Sequence, residues 1–377
     1  MTIYEEAMQA HRNLRGKIEV TAKVKLETAH DMSTYYSPGV GAVASYLAEN
    51  PHETPLYTST NNTVAIISDG SAVLGLGNLG PEGALPVMEG KAMLFKQFAG
   101  IDAFPIVLNT QDPNKIIETV IAIAPSFGGI NLEDIAAPQC FYIETELKKR
   151  LKMPIMHDDQ HGTAIVVLAG LINACRVTGR KLHESKIVLV GAGAAGIAIA
   201  KLLHDYAQPL IVAVDSKGIV TRNREDLNQE KLLLLAYGDK KQVDGSIADA
   251  VKGADIFIGV SKGGVLTADM VKTMAPKPII FAMANPEPEI DPALAKEAGA
   301  AIVATGRSDY PNQVNNVLAF PGIFRGALDN HSTITDQHKI AAAEAIADIV
   351  RRPTVEYIVP SALDEKVVRA VSSVFMS

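Results

Sequence analysis

Two cysteines, Cys140 and Cys175, are all that 377 residues contain. That is too few for a disulfide framework or a cysteine-ligated zinc site. Both lie in apolar surroundings, as buried thiols of a reducing compartment do. No charge sign dominates: 35 Lys and Arg against 42 Asp and Glu leave a net charge of −7, with the signs intermixed. This excludes the basic stripe of a nucleic-acid binder and the polybasic tail of a membrane-surface protein. The N-terminus has neither a basic n-region nor an apolar h-region, so no signal peptide is expected. No apolar run is long and unbroken enough to span a bilayer. Repeats and low-complexity segments are missing. The absences leave a cytoplasmic globular protein, 47% apolar and 20% charged, with length for about two or three domains.

What is present centres on Lys186–Ala200. Ile187 to Val190 form a β-branched apolar run, which suits a strand buried on both faces. Gly191, Gly193 and Gly196 follow, and then an alanine-rich helical segment. In a strand–turn–helix of this kind the first glycine allows the sharp turn, the second lets a pyrophosphate approach the backbone, and the third lets helix and strand pack closely. The backbone of Ala192, Ala194 and Ala195 belongs to the same phosphate cradle. A second strand, Ile211 to Val214, ends at Asp215, 215 − 196 = 19 residues past the last glycine. An acid about 20 residues on is the expected ligand of a ribose hydroxyl. It points to NAD, while Lys217 and Arg222 stand near enough to take the 2′-phosphate of NADP.

Upstream, Ser37 and Pro38 suit the N-cap and first residue of a helix running toward Glu49. Tyr36 then precedes the cap. A hydrophobic staple would need a side chain at Gly41, which has none, so a functional role stands beside the structural one. Alternation over residues 17–25 admits a strand. A helix is expected over about 83–98, with Lys91 on its apolar stripe: Val87, Met88, Leu94 and Phe95 lie three and four residues away. Such a lysine either snorkels to solvent or is desolvated, in which case its pKa falls and it can act as a general base.

Two acidic doublets, Glu133-Asp134 and Asp158-Asp159, each follow a short apolar strand and precede a helix. Helix capping needs one acid, not two. Carboxylates gathered from two strand ends repel one another unless a hard divalent ion, Mg²⁺ or Mn²⁺, sits among them. His157 and His161 then cap or support rather than ligate. Asn285 and Asn315-Asn316 fall at strand ends, where α/β sheets bind ligands and where turn chemistry also favours asparagine. The alternation of strand and helix implies an α/β chain: a Rossmann-type doubly wound parallel sheet plus an α/β substrate and metal domain, completed by C-terminal helices.

Six separated blocks resemble the malic enzymes from about Tyr36 to Arg325. They are Tyr36-Ser37-Pro38-Gly39-Val40, Leu74-Gly75-Leu76-Gly77-Asn78, Pro86 to Lys91, Glu133-Asp134, Asp158 to Thr163 and Asn315-Asn316-Val317. The length is similar to the compact bacterial and archaeal type, without an appended acyltransferase-like domain. The resemblance implies oxidative decarboxylation of L-malate to pyruvate and CO₂ with reduction of NAD or NADP, dependent on Mg²⁺ or Mn²⁺, in a homodimer. It implies Tyr36 as general acid, Lys91 as general base, Asp158 close to the lysine, and Glu133, Asp134 and Asp159 as metal ligands. Asn285 and Asn316 would contact substrate, as would Lys91, with Asn285 also near the nicotinamide. The expected division is 1–159 for malate and metal, 160–316 for the nucleotide, and 317–377 packing back on the first part. One position departs: Ala72 stands where large eukaryotic members carry a carboxylate-gripping arginine. Rival readings are a malolactic-type or oxaloacetate-decarboxylating enzyme on the same scaffold, and a non-catalytic nucleotide-sensing domain.

Overall fold

Two mostly parallel sheets carry the chain in this computed structural model, which describes residues 2–238 and 243–376. The first contains β1 (Thr63–Ser68), β2 (Asp102–Val107), β3 (Gly129–Leu132) and β4 (Ile155–His157), in the order β2-β1-β3-β4 and all parallel. The second contains β5 (Lys186–Val190), β6 (Leu210–Asp215), β7 (Gly218–Ile219), β8 (Ile256–Gly259), β9 (Ile279–Ala282) and β10 (Ile302–Thr305). Its order is β10-β9-β8-β5-β6-β7, with only β7 antiparallel. The winding reverses between β5 and β8, which opens a crevice at their carboxyl ends. Strands β1, β3, β4, β8, β9 and β10 are buried at every residue. Helices cover both faces, so these strands read as apolar runs instead of alternating.

One helix, Asp158–Thr178, joins the sheets. It starts directly from β4, packs against the helices Ala194–Ala207 and Asp336–Ile349, and ends at Gly179 in the left-handed conformation. Among the described residues it is the single helix long and apolar enough to cross a membrane by composition, yet 72% of that window is buried inside the protein. A second contact ties the chain's end to its beginning. Phe95, on the helix Gly80–Ala99, meets the rings of Phe320 and Phe324 edge-on at 4.7 and 5.4 Å. Both partners stand on the helix Phe320–Asp329, and all three rings are fully buried.

Two details within residues 17–40 differ from the sequence-based expectation. Ser37 caps nothing. Thr28 does instead: its side chain accepts from the Asp31 N–H and Asp31 reaches back, forming a capping box for the helix Ala29–Tyr35. The next helix, Val40–Glu49, begins after a turn through Ser37, Pro38 and Gly39. The helix expected to run toward Glu49 does form, but Gly39 is its N-cap and no side chain caps it. Residues 17–25 form no strand; alternation without a neighbouring strand to pair with does not make one. Helices Ile3–Leu14, Ala29–Tyr35 and Val40–Glu49 bury no residue within the chain.

Phe95→Ala should lower stability by about 3–5 kcal/mol, the usual cost of deleting a fully buried aromatic ring. Urea unfolding measures it, and a loss below about 1 kcal/mol would mean that the Phe95–Phe320–Phe324 cluster does not hold the two ends together.

Candidate active site

The register of the first sheet sets the site. Leu132 on β3 pairs with His157 on β4, so the residues that follow leave the sheet side by side. Glu133-Asp134 and Asp158-Asp159 are therefore neighbours in space although 25 residues separate them. One ligand oxygen from each of Glu133, Asp134 and Asp159 lies within 4.8 Å of the others. Asp134 has φ 54°, a left-handed backbone disfavoured for a residue with a Cβ. Its N–H donates to Asp159 Oδ2 at 2.8 Å, which holds that turn. Its buried Oδ2 has no partner among the described residues.

Burial and the repulsion of neighbouring carboxylates raise the pKa of two members of this cluster. Burial first, then the charge of Asp159, against an opposing pull from Lys91, lifts Asp134 to about 7. Burial lifts Glu133 well above the usual carboxylate range as well, outweighing the pull of Lys91. A hard cation fits a set of oxygen donors with an orphaned buried oxygen among them, because its charge removes the cost of keeping all three ionised.

Lys91 does not snorkel. It is buried, with Nζ 2.6 Å from Asp158 Oδ2, 2.9 Å from Glu133 Oε1, and 4.1 Å from the centre of the Phe320 ring. The expected fall in its pKa is reversed: burial pushes it down, but the carboxylates of Asp158 and Glu133 outweigh burial and hold the ammonium above the ordinary lysine range. The apolar stripe told of burial but not of what lay opposite. Asp158 also accepts from Asn316 Nδ2 at 2.6 Å, and its Oδ1 is buried without a partner among the described residues. Gly162, one turn along the same helix, makes room for that carboxylate; a Cβ there would overlap Asp158 Oδ1.

The structure thus brings together Lys91, Glu133, Asp134, Asp158, Asp159 and Asn316. Asn285 follows β9, and its carbonyl oxygen lies 2.6 Å from where a Cβ on Gly75 would stand. That close approach, with φ 75° at Gly75, lays the Leu74–Asn78 loop against the nucleotide half. Tyr36 is not brought in. It is 65% exposed, and no hydrogen bond joins it to the cluster among the described residues. His157 and His161 stay outside the acid trio. His161 Nε2 meets Glu144 Oε2 at 2.9 Å and its Nδ1 meets Lys339 Nζ at 3.0 Å, and burial pushes its pKa down to about 4.

At the second sheet, Gly191 adopts φ 121° and a Cβ there would come within 2.6 Å of the Val260 carbonyl. One on Gly196 would overlap the Gly191 carbonyl, whereas the space around Gly193 is open. These are the three roles expected of the turn: bend, packing contact and ligand approach. The backbone of Ala192, Ala194 and Ala195 frames the start of the helix Ala194–Ala207, which has no side-chain cap. Asp215 ends β6. Against the upward push of burial, hydrogen bonds from Arg224 and Lys231 hold its carboxyl down to about 2.

Four residues of these sites were not read from sequence. Asn131 donates to Glu133 Oε2 at 2.7 Å. It is the one polar residue inside β3 and lies two positions before Glu133, so strand periodicity could have found it. Phe320, Arg224 and Lys231 carry no local signal, since each acts on a residue from another element.

The fold and both sites can be compared with known proteins. Residues 15–148 match the family model "Malic enzyme, N-terminal domain", and residues 160–373 match "Malic enzyme, NAD binding domain". A bifunctional malic/malolactic enzyme of Bacillus subtilis is 54% identical over 376 residues, 99% of this chain and 92% of the relative. An NADP-dependent malic enzyme of Halomonas elongata is 46% identical over 390 residues, 98% of this chain and 92% of the relative. The crystal structure of an NAD-dependent malic enzyme from Thermotoga maritima superposes with a TM-score of 0.95 at 52% identity, covering 98% of each chain. With a buried lysine between acids from two strands, a glycine turn opening the second sheet, and this agreement along nearly its whole length, the chain belongs to the malic enzyme family.

Proposed function

We propose that the chain catalyses oxidative decarboxylation of L-malate to pyruvate and CO₂ with reduction of NAD(P), on a divalent cation held by Glu133, Asp134 and Asp159. The observation that carries this reading is Lys91 locked between Glu133 and Asp158 beside three mutually close ligand oxygens. Relatives named as malic enzymes over nearly the whole chain support it. A divalent ion held there would supply a Lewis acid for the charge that develops on malate, and a nicotinamide would supply the hydride acceptor.

The chain's own residues account for the proton movements. Glu133 belongs both to the acid trio and to Lys91. If Glu133 helped to hold a cation, Lys91 would be left with Asp158 alone against full burial, the direction in which a lysine becomes a base. Lys91 then takes the C2 hydroxyl proton as hydride leaves C2. Asp158 and Asn316 orient the amine, and Asn285 contacts substrate at the nicotinamide end. Loss of CO₂ from the β-keto acid leaves an enolate, which Tyr36 protonates at C3. Residues 1–159 serve malate and metal, 160–316 the nucleotide, and 317–377 pack back through Phe320.

Tyr36 reaches this chemistry in a homodimer. The helices around it bury nothing within one chain and expose Ile3, Met8, Leu14, Met32, Tyr35 and Val43. An apolar arm of this extent marks an interface, and a two-fold assembly would carry the partner's tyrosine to each lysine. A second reading, malate to lactate and CO₂, is favoured by the bifunctional name of the Bacillus subtilis relative. Product analysis with and without NAD(P) separates the two, pyruvate with reduced cofactor against lactate with no net reduction.

Lys91→Ala should cut kcat by about 10²–10⁴, the contribution of a general base, with a smaller change in KM for malate. Near-normal kcat would remove the lysine from the reaction. Manganese binding, followed by calorimetry between pH 6 and 8, should need the ionised acids. Because Asp134 titrates at about 7, affinity should weaken as pH falls through that value, by up to about tenfold per unit for each proton displaced. A flat profile would show that the trio does not hold the ion. Finally, Tyr36→Phe and Lys91→Ala dimers, each inactive, should regain about a quarter of wild-type activity when dissociated and mixed, since half of the reassembled dimers carry one intact site. No recovery would place both residues of each site on one chain.

A further inference from the structure

The helix Asp158–Thr178 starts without a side-chain cap from its own first residue. The strand it leaves, β4, is the edge of its sheet, so its outer N–H groups have no neighbouring strand to bond. One side chain serves both needs. Glu144, on the helix Gln139–Arg150, accepts from the His157 N–H at 3.0 Å through Oε1 and from His161 Nε2 at 2.9 Å through Oε2. His157 is the last residue of β4, and His161 lies in the first turn of the helix. Asp158 and Asp159 are therefore strung between two points fixed by one carboxylate.

The protons of this clamp can be placed. Against the upward push of burial, His161 and then Lys148 hold the Glu144 carboxyl well below the usual carboxylate range. An ionised carboxylate only accepts, so His161 donates from Nε2. With a pKa of about 4 the ring is neutral, and Nδ1 carries a lone pair. Lys339 Nζ donates to that nitrogen at 3.0 Å and to Asp336 Oδ1 at 2.9 Å. The tautomer is thus set from both sides. Lys339 stands on the helix Asp336–Ile349, so the C-terminal segment takes part in the clamp.

What is held this way lies against the acid cluster. The His157 ring is fully buried, with Nε2 3.9 Å from Asp159 Oδ2. That same oxygen accepts from the Asp134 N–H. Glu144 and Lys339 are buried as well. Stability alone gives no reason to bury a carboxylate and an amine here, because desolvation offsets their attraction.

Resting on the reading of Glu133, Asp134 and Asp159 as a cation site, we propose that Glu144 and His161 are positioning residues of that site, and that Lys339 sets the tautomer in which His161 serves. None of the three belongs to the acid trio. They act through Asp158 and Asp159, by fixing where these leave the sheet.

Calorimetric titration of the full chain with Mn²⁺ tests this, with AMP as the probe of the nucleotide half and urea unfolding as the measure of the fold. Glu144→Gln sets an amide N–H₂ against either the His157 N–H or the His161 Nε2–H. It should weaken Mn²⁺ binding by about tenfold or more, the usual effect of removing a group that orients metal ligands. His161→Leu should do the same. His161→Gln keeps a donor and an acceptor, and should hold Mn²⁺ affinity within about threefold of wild type. AMP affinity should change by less than about twofold in all three, as expected of a site with no shared partners. His161→Leu removes no charge, and decides the matter if Glu144→Gln does not fold. Wild-type Mn²⁺ affinity in the folded Glu144→Gln or His161→Leu protein would overturn the inference and leave the cation site standing. So would His161→Gln as damaging as His161→Leu, equal loss of Mn²⁺ and AMP binding, or unfolding of both disruptive variants. A wild type that takes up no Mn²⁺ would overturn the cation site and this inference with it.

Discussion

A positive charge buried between two negative ones is the constraint on which the first half of this protein depends. Lys91 has lost its water, and Glu133 and Asp158 replace it. Buried ion pairs of this kind contribute little net stability, because desolvation costs about as much as the attraction returns. What they impose is position. Removing Lys91 leaves two buried carboxylates with no cation between them, so the three elements that carry the group must meet in one arrangement. Those elements are the helix Gly80–Ala99, the end of β3, and the first turn of the helix Asp158–Thr178.

The rest of the fold serves that meeting. Parallel pairing of β3 and β4 sets the two acidic doublets side by side. Asn131 fixes the free oxygen of Glu133, and Asn316 fixes Asp158 from a segment far along the chain. Phe320 closes the lysine from water and, with Phe324, docks on Phe95. The helix that begins with Asp158 continues beneath the nucleotide half, so the acid cluster and the second sheet share one element about 30 Å long.

Much of this could be read from sequence, for identifiable reasons. The glycine turn, the apolar strands and the acid ending β6 are local patterns, and local patterns survive in a one-dimensional reading. The doublets were legible because adjacent carboxylates at two strand ends are unfavourable without a reason. Asn131, Phe320, Arg224 and Lys231 were not legible, because each takes its meaning from a residue on another element. The direction of the Lys91 shift failed on the same ground: helical spacing revealed burial, but the opposing charges lay across the sheet. The cap at Ser37 failed because the helix it precedes starts two residues later than expected, at Val40, with Gly39 as its N-cap.

Gly162 shows how far such dependence reaches. It makes no bond and moves no proton, yet the Asp158 carboxylate fills the volume where its side chain would be. One added methyl group would displace the acid that holds the lysine. The smallest possible enlargement at this position therefore falls directly on the contact between Asp158 and Lys91.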